Sequence, residues 1–171
     1  MRSLLLLTLL ILPLLAYAQP EMDETLEPFA FLVGQWAGPA WHMTPSGERQ
    51  SIYQTEHVQP MLSGTILLIE GTGREDGPEG GIVFQALGIL SYDEAMDQYY
   101  LDAFRDGRHI RAEVDPVEGG FDWGFEVEGR QIRYAMRLAD GRWTENGHVT
   151  LPDGRALPIV GLDLERVSDE P

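Results

Sequence analysis

The chain has no cysteine among its 171 residues. That excludes disulfides, thiol catalysis and cysteine-ligated metal centres. Small exported domains commonly rely on disulfides where the core is small, so here apolar burial must suffice alone. Lysine is absent too, and every basic residue is arginine. A compositional bias accounts for this, and it carries no functional inference. Positive charge is scarce: 12 basic residues face 28 acidic ones, a net charge of −16. Such a surface repels nucleic acid and anionic lipid headgroups, and it keeps a protein soluble. The Gly-x-Ser-x-Gly elbow, the Gly-x-Gly-x-x-Gly turn and the Walker loop are all missing. The glycine-rich stretch from Gly71 to Gly81 carries Glu75, Asp76 and Glu79. Those carboxylates repel phosphate, and the stretch reads as a hairpin loop. The histidines, His42, His57, His109 and His148, stand at no helical or zinc-finger spacing, so no metal site is expected.

Long hydrophobic runs are also scarce. The one present, Leu4 to Leu15, is twelve residues long and broken by Pro13. A bilayer span needs about 20 apolar residues. Arg2 precedes the run and Ala16-Tyr17-Ala18 follows it, the pattern of a secretory signal peptide with an A-x-A cleavage site. Residues 1–18 are therefore expected to be a signal peptide and 19–171 a single domain, secreted or periplasmic, with no membrane insertion after the signal is removed. Loss of Arg2 leaves 28 acidic and 11 basic residues, a net −17. A domain of about 150 residues buries close to 70% of its unfolded surface, enough for one core.

Helical pattern is nearly absent after residue 33. Leu26, Phe29 and Leu32 recur at i, i+3, i+6, and Pro28 suits a first turn, so a short helical cap is expected over 23–33. Strands are expected over 34–43, 49–59, 63–74, 82–91, 98–105, 108–116, 120–128, 131–139, 142–151 and 157–167. Between them lie turn signals such as Asp106-Gly107, Glu128-Gly129, Asp140-Gly141 and Asp153-Gly154, where glycine accepts the positive φ of a tight hairpin. Several strands alternate. Phe121, Trp123, Phe125 and Val127 oppose Asp122, Glu126 and Glu128; Ile132, Tyr134, Met136 and Leu138 oppose Gln131, Arg133 and Arg137. One wet face per strand excludes a buried parallel sheet. Hairpins at almost every junction favour an up-and-down meander. The fold class is thus all-β: an up-and-down antiparallel barrel of about ten strands with a short N-terminal helical cap.

Gly34-x-Trp36 after a short helical turn, with Arg166 in the last strand, resembles the calycin superfamily of lipocalins and fatty-acid-binding proteins. That resemblance implies a barrel in which Trp36 sits at the closed base and Arg166 packs across it. The stretches Phe31 to Trp36, Leu87 to Asp93 and Leu162 to Val167 are similar to those of secreted bacterial domains of unknown function with a lipocalin-like barrel. More distantly, the strand count resembles the haem-binding nitrobindin barrels, although no histidine here matches their haem ligand. What the resemblance implies is a fold and a general binding role. It transfers no ligand or cofactor.

Alternation places Phe84, Trp123, Phe125, Tyr134 and Met136 on inward faces. Rings and methionine line many apolar ligand sites; they also fill interiors that hold no ligand. Glu145 shares a face with Trp143, Val149 and Leu151, and Glu70 with Ile66 and Leu68. An acid on an apolar face has a raised pKa or a buried partner, which makes both candidates for a polar group in a lumen. His42 falls in phase with Trp36. Ile66 to Ile69 is apolar on both faces, so its outer side needs cover from the N-terminal segment or from a second subunit in a homodimer. The reading that follows is a non-enzymatic binding protein for a small, largely apolar ligand, with no catalytic residue assigned. The alternatives are a haem or gas sensor, a cavity enzyme of isomerase or cyclase type using Glu145 and His42, and a ligand-free module acting through its acidic surface. N-terminal sequencing of the exported protein is expected to begin at Gln19; an exported chain that retains residues 1–18 overturns the signal-peptide reading.

Overall fold

The computed structural model describes residues 22–168. The apolar run and the Ala16-Tyr17-Ala18 site lie outside the described residues. A 3₁₀ helix, Glu24–Leu32, precedes ten strands: β1 Gly34–Met43, β2 Arg49–Met61, β3 Ile66–Arg74, β4 Ile82–Asp93, β5 Gln98–Arg105, β6 Arg108–Val117, β7 Gly120–Val127, β8 Arg130–Ala139, β9 Arg142–Thr150 and β10 Ala156–Ser168. Each strand pairs antiparallel with its chain neighbours, and β1 pairs with β10 to close the barrel. The expected meander is the observed one, with strand ends displaced by three residues or fewer.

Turn chemistry sets this register. Asp106-Gly107, Glu128-Gly129 and Asp140-Gly141 have positive φ at both positions, the conformation whose twist matches that of the flanking strands. Successive hairpins alternate between the two ends of the barrel. The turns at 62–65, 94–97, 118–119 and 140–141 lie at the end that carries the 3₁₀ helix, here the cap end. The turns at 44–48, 75–81, 106–107, 128–129 and 151–155 form the opposite, loop end.

The cap plugs its end because its apolar spacing fits its helix type. A 3₁₀ helix has three residues per turn, so residues at i, i+3 and i+6 eclipse. Leu26, Phe29 and Leu32 stand at that spacing and are fully buried. The Asp23 carboxylate accepts from the Thr25 amide at 3.0 Å and starts the helix. Phe29 meets the ring of Tyr99 edge-on at 5.0 Å and that of Phe121 at 5.7 Å. The Tyr99 hydroxyl donates to the Thr25 carbonyl at 2.8 Å. Below the cap, Trp36, Val58, Leu67, Leu90, Val114, Met136 and Leu164 complete one core.

Trp36 and Arg166 lock cap, first strand and last strand together. The Trp36 indole N–H donates to the Leu32 carbonyl at 2.8 Å. The Arg166 guanidinium lies 4.0 Å from the centre of the Trp36 ring. It also donates to the Phe31 carbonyl at 2.6 Å and to the Val33 carbonyl. The glycine of Gly34-x-Trp36 has its own reason: φ at Gly34 is 126°, a region closed to residues with a Cβ.

On the outer wall, Ile66 and Leu68 point away from the core and are half-buried, in register with Met61 and Ile89 of the neighbouring strands. Leu67 and Ile69 point inward. Glu70 follows Leu68 outward. It is exposed, 3.5 Å from His57 and bonded to Gln59 at 3.4 Å. It therefore faces solvent rather than the lumen. The reason is that β3 is apolar on both faces, so an apolar neighbour two residues away did not define the inner side.

Arg166→Ala is expected to remove a cation–π contact worth about 0.5–2 kcal/mol and to leave the Phe31 and Val33 carbonyls to water. A fall in melting temperature of about 1–8 °C follows for a domain of this size, readable by circular dichroism, with ligand preference unchanged. A variant that melts with the wild type contradicts this role.

Candidate functional site

Directly paired residues of a β-ladder share a face, so the register defines oblique rows around the lumen. One row runs Val114, Trp123, Tyr134, Gly147, Val160, His42 across β6 to β10 and β1. The next, nearer the cap on those strands, runs Phe121, Met136, Glu145, Leu162, Ala40, Ile52. A third links Arg166, Trp36, Glu56, Gly71 and Ala86.

Three of the aromatic and methionine candidates, Trp123, Tyr134 and Met136, fall in these rows, and Phe125 packs beside them. Trp123 and Tyr134 stack at 3.9 Å with an interplanar angle of 6°. Phe125 joins them, 6.3 Å from Trp123 and 6.4 Å from Tyr134. Gly147 makes room for the Tyr134 ring, because a Cβ there would lie 2.6 Å from a ring carbon. Met136 is fully buried in the core beneath them. Trp123, Phe125 and Tyr134 keep partial exposure, so solvent reaches the stack from the loop end. Phe84 stands apart on β4, where the Arg105 guanidinium lies 4.3 Å from its ring centre. His42 shares the row of Trp123 and Tyr134. Its Nε2 is buried with no hydrogen-bond partner among the described residues. His57 and His109 instead pair with Glu70 and Asp102 on the outer wall.

The polar heart of the lumen contains Glu145 and a residue that periodicity missed. Glu145 is buried and accepts from the Trp123 indole N–H at 3.3 Å. Glu56, on β2, is buried as well and accepts from the Gln54 amide at 2.8 Å. Gly71 leaves space for it, since a Cβ there would lie 2.9 Å from both carboxylate oxygens. No arginine or histidine forms an ion pair with either acid among the described residues. Burial disfavours their charge. It pushes Glu56 up to about 8, against the Gln54 hydrogen bond and with the help of the Glu145 charge. Glu145 rises to about 7, against the pull of Trp123 and Trp143. Tyr134 is raised to about 12, first by burial, then by the Glu145 charge, with Arg105 acting the other way. At neutral pH the lumen thus holds carboxyl groups poised between acid and carboxylate.

The alternation Ile52, Gln54, Glu56, Val58 carried the signal for Glu56. It was masked because Thr55, His57 and Gln59 make the other face polar too.

The wall also has a gap. β4 pairs with β3 from Ile82 onward, but its pairing with β5 begins only at Leu87 and Phe104. A hollow of about 520 Å³ lies in this gap. Inward-facing Gly71, Ala86 and Arg105 line it together with outward-facing Glu70, Leu87, Phe104 and His109. His109 stacks on Phe104 at 4.7 Å and bonds Asp102 at 2.8 Å.

No family model matches the sequence, and no curated protein matches it. By fold the chain is similar to the crystal structure of Rv2717c from M. tuberculosis, with a TM-score of 0.64 and 10% identity over 85% of this chain and 99% of that one. At that identity the similarity shows the barrel alone.

The buried acids make stability depend on pH. Each binds its proton more tightly folded than unfolded, so the folded state holds the excess protons. Stability is greatest below the unfolded value of 4.5 and falls as pH rises through about 7 for Glu145 and about 8 for Glu56. The slope is at most about 1.4 kcal/mol per pH unit per group. Melting temperature is expected to drop between pH 5 and pH 8.5, and Glu56→Gln is expected to flatten the drop and melt higher than wild type at pH 8.5. A wild-type melting temperature that is flat or rises across this range contradicts the assignment.

Proposed function

We propose that the protein is a secreted or periplasmic, non-enzymatic binding protein that holds a small, largely apolar molecule in the loop-end half of a lipocalin-like barrel. The observation that carries this reading is the Trp123–Tyr134 stack, extended by Phe125, facing the lumen in partial contact with solvent beside a buried acid that has no ion-pair partner among the described residues. A few polar groups set against apolar walls are what orient a ligand in a pocket. Glu145 is the polar anchor and Met136 the floor, His42 shares the row of the rings, and Phe84 faces the lumen from β4. Trp36 and Arg166 are structural. The outer Ile66 and Leu68 supply the surface over which a second copy of the chain would pair.

Tryptophan fluorescence tests the reading directly. Titration with the neutral apolar probe N-phenyl-1-naphthylamine is expected to quench the protein's tryptophans and enhance probe emission. Trp123→Ala is expected to weaken binding about five- to tenfold, the loss of one aromatic contact of ~1 kcal/mol. A wild-type protein that leaves the probe unaffected defeats the carrier reading.

A further inference from the structure

We propose that the ligand of this lumen is an organic cation, a protonated amine on a flat or aromatic body, with its ammonium group held by Glu145 and Glu56 and its apolar part against the Trp123–Tyr134 stack. This rests on the binding-protein reading above and names its ligand class.

Three observations converge on it. First, two buried acids face one lumen, and among the described residues their hydrogen-bond donors are neutral, the Gln54 amide and the Trp123 indole. Buried carboxylates ordinarily carry a cationic partner or give up their charge. Second, the surroundings of Glu145 suit the ionised form. Trp143 is only 3% exposed, and its indole N–H has no hydrogen-bond partner among the described residues. That N–H nonetheless acts on Glu145, as the Trp123 N–H does. A carboxylate has acceptor capacity for the bonded Trp123 donor and for the buried, unsatisfied Trp143 donor alike. An ionised Glu145 in this setting needs a counter-cation. Third, the wall beside it is aromatic, and the face of an aromatic ring attracts a cation.

The charges that bear on the pair are few. On Glu56 act Gln54 from its own strand and the charge of Glu145; Trp36 and Gly71 are its cross-strand neighbours. Glu145 is flanked by Met136 and Leu162 across the ladders. Arg105 is engaged with the Phe84 ring and with Asp106, and Arg166 with Trp36 and the cap carbonyls. Neither of these arginines acts on the two acids. His42 lies in the row of Tyr134. An inorganic cation is disfavoured, because no group of three metal-ligating side chains exists among the described residues. An anion at this pair would meet two acids, with the inward Arg105 held on the Phe84 ring and Asp106 and not acting on either acid. Binding of a protonated amine at neutral pH displaces protons from the acid pair into solvent, and the site exchanges one positive charge for another.

Calorimetry on the mature protein at pH 7.5 tests this with three probes that share a phenyl ring on a two-carbon arm: phenethylamine, 2-phenylethanol and 3-phenylpropionate. Phenethylamine is expected to bind at least tenfold tighter than the alcohol, and the carboxylate weakest of the three. The amine's binding enthalpy is expected to shift between buffers of different ionisation enthalpy, the signature of released protons. Glu145→Gln, which keeps the shape of the neutral acid, is expected to weaken the amine about tenfold more than it weakens the alcohol. If the alcohol and N-phenyl-1-naphthylamine bind and the amine binds no better, the cation inference falls while the carrier reading stands. If none of the probes binds, both fall.

Discussion

The structure depends on how its first and last strands are joined. An up-and-down sheet of ten strands has two free edges until β1 meets β10, and exposed edges invite pairing with other chains. The junction here is more than a ladder of backbone bonds. Arg166 from β10 covers the Trp36 ring of β1 and reaches back to the carbonyls of Phe31 and Val33. Trp36 in turn donates to Leu32. The last strand thereby fixes the first strand and the helix that plugs the cap end. Because the same residues that close the sheet also fill that end with apolar side chains, the partly exposed rings of Trp123, Phe125 and Tyr134 are displaced toward the loop end.

The chemistry of the lumen beside those rings is unusual. Two effects oppose one another at each interior acid. Hydrogen bonds from Gln54 and Trp123 favour the carboxylate, as does the nearby Trp143 indole, and burial favours the acid. Burial wins at both, as Glu56 near 8 and Glu145 near 7 attest. A barrel shaped only for stability would place apolar side chains there, since buried ionisable groups without partners destabilise relative to packed hydrocarbon. Gly71 and Gly147, which leave room for Glu56 and for the Tyr134 ring, are likewise poor strand residues. Four positions thus depart together from what a packed interior favours, and departures of this kind are expected where a fold carries function.

Much of the fold was legible in the sequence because its signals are local. Asp106-Gly107 and Asp140-Gly141 mark hairpins by backbone chemistry alone, and strict alternation in β7 and β8 gave the inner face of Trp123, Phe125, Tyr134 and Met136. Glu145 was legible for the same reason: its neighbours in phase are apolar and those out of phase are polar. The method failed where a strand lacks that contrast. β3 is apolar on both faces, and Glu70 was given a lumen candidacy that its outward position removes. β2 is polar on both faces over residues 54–57, and Gln54 and Glu56 were missed. The three-ring stack was not legible either. Which of several inward rings lie flat on each other depends on cross-strand register and on a glycine in a third strand, neither of which periodicity reports.

The gap in the wall shows how a local turn shapes access to a distant site. β5 ends where Asp106-Gly107 adopts its two-residue turn, so it can pair with β4 only from Leu87 to Asp93. β4, held by β3, continues five residues further, from Ile82 to Ala86, with no β5 partner. The uncovered segment exposes Ile82 and Val83 to solvent and brings Ala86 and Gly71, both lumen-facing, to the margin of the hollow. Gly71 is the cross-strand neighbour of Glu56, so the hollow approaches the acid pair from the side while the loop end approaches the aromatic stack from above. Arg105 stands where the two routes meet, with its guanidinium on Phe84 and its charge felt by Tyr134. Closing that gap by lengthening β5 would add backbone pairs to the sheet. The short turn forgoes them, and the half of the barrel that holds its ionisable groups stays within reach of solvent.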